Sequence, residues 1–135
     1  MRGSKNKSNI FFIVFILVFF SFLFGFSASA DEPNVLMINP DLQNVSSDEV
    51  FFINVYCNPV QPIKGYELVI SFNPTFIKAL SVSEGDFFQG FNTFFNPGTI
   101  DNTQGLIKSI YGLVIGQGNT SAPGVLCNIS FSANK

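Results

Sequence analysis

The alternation of apolar and polar positions is clearest from Tyr66 to Phe72. Tyr66, Leu68, Ile70 and Phe72 alternate with Glu67, Val69 and Ser71, the period of a strand with one face on a core. Asn73-Pro74 stops it, because Pro has no N–H for a ladder and Asn readily bonds its own backbone in a turn. A second apolar run, Phe76 to Val82, ends at Glu84-Gly85-Asp86. The stretch from Glu67 to Phe87 therefore reads as two strands joined by a tight turn. Upstream, Val35 to Asn39 reads as a short strand ended by Pro40-Asp41, and Leu42 to Glu49 as a polar connection. Val50 to Cys57 is a further strand. Its pattern directs Phe51, Ile53, Val55 and Cys57 one way and Phe52, Asn54 and Tyr56 the other. Pro59 and Pro62 make a rigid turn after it.

Downstream, Phe91, Phe94 and Phe95 suggest an aromatic strand before the turn Asn96-Pro97-Gly98, and Thr99 to Gln104 a short extended piece. Leu106 to Ile115 is predicted as a strand with Ile107, Tyr111 and Leu113 inward, since Lys108 belongs in solvent. Gly116 to Gly124 is loop-rich in composition. Val125 to Phe131 is the last strand, with Val125, Cys127, Ile129 and Phe131 on one face. Short strands between Gly, Pro and Asn turns, without helical periods, predict an all-β sandwich or barrel.

Residues 1–30 have a different character. Arg2, Lys5 and Lys7 precede an apolar run from Ile10 to Phe26, broken only by Ser21 and Gly25, and Ala28-Ser29-Ala30 is a cleavage signature. A signal peptide, helical in its apolar run and cut after Ala30, is expected. An uncleaved anchor is the alternative, although 17 residues lie near the lower limit for a span. Eight of the 18 Phe belong to this segment. Residues 31–135 keep all nine acidic residues against Lys64, Lys78, Lys108 and Lys135, a net charge of −5. That balance opposes nucleic acid and anionic membrane surfaces, which are bound by excess Lys and Arg. Any membrane contact is expected through the N-terminal segment alone. A 105-residue remainder suits one domain with one core.

The chain has no His. It lacks the usual general base, the usual zinc ligand and the partner of a Ser or Cys nucleophile. Glu84 and Asp86 flank a turn Gly, and no pair of carboxylates is placed to converge as in glycoside hydrolysis. Asp101 to Gln104 offers oxygen ligands, but without EF-hand spacing, and reads first as turn residues. The expectation is a non-catalytic chain with no metal and no cofactor. Asn44, Asn119 and Asn128 each begin an N-x-S sequon. Phe52 and Tyr56, outward on one strand and flanked by Asn128 and Ser130, are candidate stacking rings for a polysaccharide. Cys57 and Cys127 are the only thiols, each on the inward set of its strand.

The order of these pieces resembles the cohesin domain, the receptor module of cellulosome-type scaffolds. The resemblance runs from Val35 to Phe131. It rests on Phe72-Asn73-Pro74 closing a strand, Val82 near the end of the next, and Gly85-Asp86 after it. Gly105-Leu106-Ile107 before one strand and Gly124 to Phe131 as another complete it. It implies a jelly-roll sandwich with about seven of nine strands present, the last two having no counterpart, so the domain from 31 to 135 is expected to be C-terminally incomplete. It implies docking of a dockerin-type protein module outside the cell, secreted or at the surface, on a face that includes Glu67, Val69 and Lys108. Gly65 matches a neighbouring contact position but carries no side chain. The family arrangement makes the strands of Cys57 and Cys127 antiparallel neighbours, which implies a disulfide; two buried thiols are the alternative. Some carbohydrate-binding modules share the framework, so an accessory module in polysaccharide catabolism is a second reading. A structural surface or adhesion module is a third.

Overall fold

The computed structural model describes residues 34–135, and the expected signal peptide with its expected cleavage point lies outside them. The eight elements are all strands: β1 (Val35–Asn39), β2 (Val50–Asn58), β3 (Gly65–Ser71), β4 (Ile77–Glu84), β5 (Thr93–Asn96), β6 (Thr99–Asp101), β7 (Leu106–Val114) and β8 (Gly124–Ala133). They form two antiparallel sheets, one in the order β1-β2-β8-β4 and the other β3-β7-β5, with β6 also on β7. The expected all-β sandwich is present.

The stretch from Glu67 to Phe87 is not a hairpin. β3 and β4 lie in opposite sheets, and the turn between them is a corner. Asn73 Oδ1 accepts from Thr75 N–H at 2.9 Å, and Asn73 O accepts from Phe76 and Ile77 N–H at 3.2 Å each. With its carbonyl engaged in the turn and Pro74 offering no donor, ladder pairing stops and the chain crosses the core.

The core lies between the sheets. Ile107, Ile110, Val55, Cys57, Cys127 and Ile129 are buried at its centre. Aromatic groups fill the two ends of β3. At one end Phe131 lies between Phe51 (5.7 Å, stacked) and Phe72 (5.3 Å, edge-on). At the other, Tyr66 meets Phe88 at 5.8 Å and Phe87 at 6.4 Å. Phe87 and Phe88 sit in a turn, not a strand, yet both are buried.

Of the three residues expected inward on β7, only Ile107 is so placed. Ile107 is buried, but Tyr111 is half-buried and Leu113 exposed, while Ile110 and Val114 take the inward places. Leu68 pairs with Ile110 and Ile70 with Ile107, so β7 has one residue more than β3 across this step. Ser109, at φ 60°, is in the left-handed region there. The bulge reverses the alternation beyond it. A similar shift between Val55 and Tyr56 gives β8 an extra residue, which buries Leu126 and leaves Val125 half-buried.

The two sides of the sandwich are finished differently. On the side of β4, Ala79 N–H donates to Asn102 Oδ1 at 2.8 Å and Asn102 Nδ2 donates to Ala79 O at 3.0 Å. One amide side chain thus occupies both backbone groups of an edge residue. Among the described residues, β1, β3, β5 and β6 also have no strand beyond them. Replacing Asn102 with Ala is expected to leave both groups of Ala79 unpaired at a part-buried position and to cost about 1–3 kcal/mol, measured as a lower urea midpoint with unchanged slope.

Candidate functional site

The outer face of the β3-β7-β5 sheet is shaped by the Ser109 bulge. Beyond it, Tyr111 and Leu113 point away from the core. Phe94 of β5 pairs with Leu113 and stacks on Tyr111, with ring centroids 5.9 Å apart and planes 24° apart. Gly112 between them faces inward, where an added Cβ would come within 2.8 Å of the Tyr66 ring. Tyr66 therefore lies flat across the backbone of Gly112, and its hydroxyl donates to Leu126 O of the opposite sheet at 2.6 Å. Burial, with Cys127 and Glu84 nearby, pushes this phenol well above its ordinary range.

Glu67, Val69 and Lys108 are brought together on this same face. Glu67 stands opposite Tyr111, Val69 is 62% exposed beside the bulge, and Lys108 pairs with Thr99 and donates to Gln104 Oε1 at 3.3 Å. Phe94, 49% exposed, Leu113 and Tyr111 complete an apolar stripe with charged groups beside it. Sequence reasoning assigned Tyr111 and Leu113 to the core. The available signal was Gly112, since Gly inside a strand marks a bulge or a close backbone approach.

Phe52 and Tyr56 occupy the outer face of the other sheet. Phe52 is 62% exposed, and half-buried Tyr56 borders a groove of about 380 Å³ lined by Met37, Ile38, Asn39 and Asp41. The turn residues have local tasks. Asp86 Oδ1 accepts from Val125 N–H at 2.7 Å, and Asp101 Oδ1 accepts from Thr103 and Gln104 N–H at 3.0 and 2.9 Å.

No protein-family model and no curated protein matches the chain. Two solved structures do. One is a chain of the type II cohesin–X-module–dockerin complex from Acetivibrio cellulolyticus, an N-terminal interface mutant. It has a TM-score of 0.59 and 14% identity over 75% of this chain and 71% of that one. The other is type II cohesin A11 from Bacteroides cellulosolvens, with a TM-score of 0.56 and 16% identity over 76% of this chain and 69% of that one. The fold is a cohesin fold.

Within this cohesin fold Cys57 and Cys127 are free, buried thiols, so two buried thiols, not a disulfide, is the arrangement present. Their strands are antiparallel neighbours as expected, but the residues are not opposed. Cys57 stands across from Gly124 and Cys127 across from Val55. Diagonal positions do not bring Cβ atoms to disulfide distance without backbone movement. Of the sequons, Asn44 and Asn119 are exposed outside the strands. Asn128 is half-buried in β8, and its Nδ2 donates to Glu84 O at 3.2 Å.

Two outcomes are expected. Burial pushes the Cys127 thiol up to about 11 from 9.0, and raises Cys57 as well. The unfolded chain therefore loses these protons at lower pH than the folded one. The stability they contribute is complete below about 9 and falls as pH rises toward 11. Urea midpoints between pH 8 and 10.5 should drop less steeply in Cys127→Ala; equal slopes would contradict this. When the chain passes through a glycosylating secretory host, Asn44 and Asn119 should gain glycans and Asn128 none, read by mass after peptide mapping.

Proposed function

We infer that the chain is an exported, non-catalytic docking module whose outer β3-β7-β5 face receives a protein partner of the dockerin class. The observation that carries this is the apolar stripe of Val69, Tyr111, Phe94 and Leu113 on one sheet face, with Glu67 and Lys108 beside it. Aromatic anchors at the centre of a patch and charges around it are the usual division of labour in a docking surface. The stacked Phe94–Tyr111 pair supplies the anchors. Glu67 and Lys108 supply steering and register, which act on association rate and salt dependence more than on affinity.

The partner class is carried from the Acetivibrio cellulolyticus complex, in which a type II cohesin is assembled with an X-module and dockerin. Export is supported by the leader-like composition of residues 1–30. It places the module where a partner on another secreted chain is accessible.

The test is titration calorimetry of the chain against a panel of type II X-module–dockerin pairs. At least one pair should bind with one-to-one stoichiometry. Val69→Asp, which would bury a carboxylate in the interface, should weaken it about a hundredfold, and Phe94→Ala about thirtyfold. Glu67→Ala and Lys108→Ala should weaken it less and flatten its salt dependence. The reading fails if no pair binds, or if Val69→Asp and Phe94→Ala leave binding unchanged while the variants stay folded.

A further inference from the structure

The outer face of the β1-β2-β8-β4 sheet has a chemistry of its own. The strand register sets its outward residues in rows that run across the strands. One row is Asn39, Asn54, Asn128 and Ser83, contributed in turn by β1, β2, β8 and β4. The next row holds Phe52, Ser130 and Ser81, and the two serine hydroxyls are joined at 2.6 Å. On the other side of the amide row stand Met37 and Tyr56. The face is therefore a band of amides and hydroxyls with an aromatic ring on each flank. Both rings come from β2, two positions to either side of Asn54, about 13 Å apart at the rise of a strand.

We propose that this face is a binding platform for a neutral polysaccharide chain, with Phe52 and Tyr56 as stacking rings and Asn39, Asn54 and Asn128 as the hydrogen-bonding row between them. Sugar rings present apolar C–H faces and a rim of hydroxyls, which act as both donors and acceptors. Aromatic faces complement the first, and amides, which also donate and accept, complement the second. Phe52 is 62% exposed, so its ring is available for stacking. Asn128 uses Nδ2 on Glu84 O, which leaves its Oδ1 to accept from a ligand hydroxyl. Beside Tyr56, the groove of about 380 Å³ adds Asn39 and Asp41 to the polar contacts and Met37 to the apolar floor.

Charge selects the class of ligand. The amide row and the Phe52 row contain no charged residue, and residues 31–135 carry a net −5. An acidic polysaccharide would meet net repulsion, because exposed Lys78, in the row beyond Phe52, is a single cation against that charge. The spacing of the rings calls for a chain, since a single sugar cannot touch both. The platform lies on the sheet opposite to the docking face, so one molecule can hold a protein partner and a polysaccharide together.

The experiment is affinity electrophoresis of the full chain through native gels containing hydroxyethylcellulose, mixed-linkage β-glucan or galactomannan, with polygalacturonate as the charged control. At least one neutral gel should retard the protein. Phe52→Ala should raise the apparent Kd about tenfold, Tyr56→Ala should also raise it, and Thr99→Ala, an uncharged change on β6 of the other sheet, should migrate as the parent does. Phe52 is exposed, so its replacement leaves the core intact, which a thermal melt verifies. Absence of retardation in every neutral gel overturns the proposal. So does retardation confined to polygalacturonate, or retardation unchanged by both ring variants. None of these outcomes bears on dockerin binding, which is read on the other sheet.

Discussion

One extra residue in β7, held at Ser109 with φ 60°, decides which side chains of that strand meet the core and which meet solvent. The bulge is pinned from the β5–β6 connection. Asn96 Nδ2 donates to Ser109 O at 3.0 Å. Gly98, at φ 77°, approaches so closely that an added Cβ would lie 2.4 Å from Lys108 O. With the bulge in place Ile110 and Val114 fill the core, while Tyr111 and Leu113 join Phe94 outside. Without it the sheet would turn two large apolar side chains into an already close-packed interior and leave Ile110 and Val114 in water.

The two outer faces then diverge in chemistry because they draw on different residue types. The β3-β7-β5 face combines aliphatic and aromatic bulk with charges of both signs. The β2-β8-β4 face is built from Ser and Asn around two rings. A sandwich keeps these surfaces apart by the thickness of its core, so substitutions on one leave the other's geometry alone.

Much of this fold is legible in the sequence. β1 and β2 follow directly from Pro40, Pro59 and the alternation between them, and the inward set of β2 is the one observed. Glu67 and Lys108 share a face because a charge does not tolerate the core, and Val69 joins them through the two-residue period of β3. Three things were hidden. The Asn73-Pro74 turn looks the same in one dimension whether it closes a hairpin or a corner. The Ser109 bulge has no residue signature at Ser109 itself, so the period carried past it sends Tyr111 and Leu113 to the wrong side. Finally, Asn102 reads as a turn residue, and its bond to Ala79 joins positions 23 residues apart.

The finish of the sheet margins sets a limit on self-assembly. β6 pairs with β7 on the side away from β3, and Asn102, just beyond β6, reaches β4. The open strands β1 and β3 therefore lie together on the opposite side. Leu36 and Ile38, at inward positions of β1, are 53% and 51% exposed there. A strand added by another molecule would find backbone groups free on that side, whereas Asn102 obstructs the β4 margin at Ala79. β5 is a further outer strand, but of only four residues, so the β1 and β3 side is the longer adhesive margin, and like edges meeting across it close into a symmetric pair.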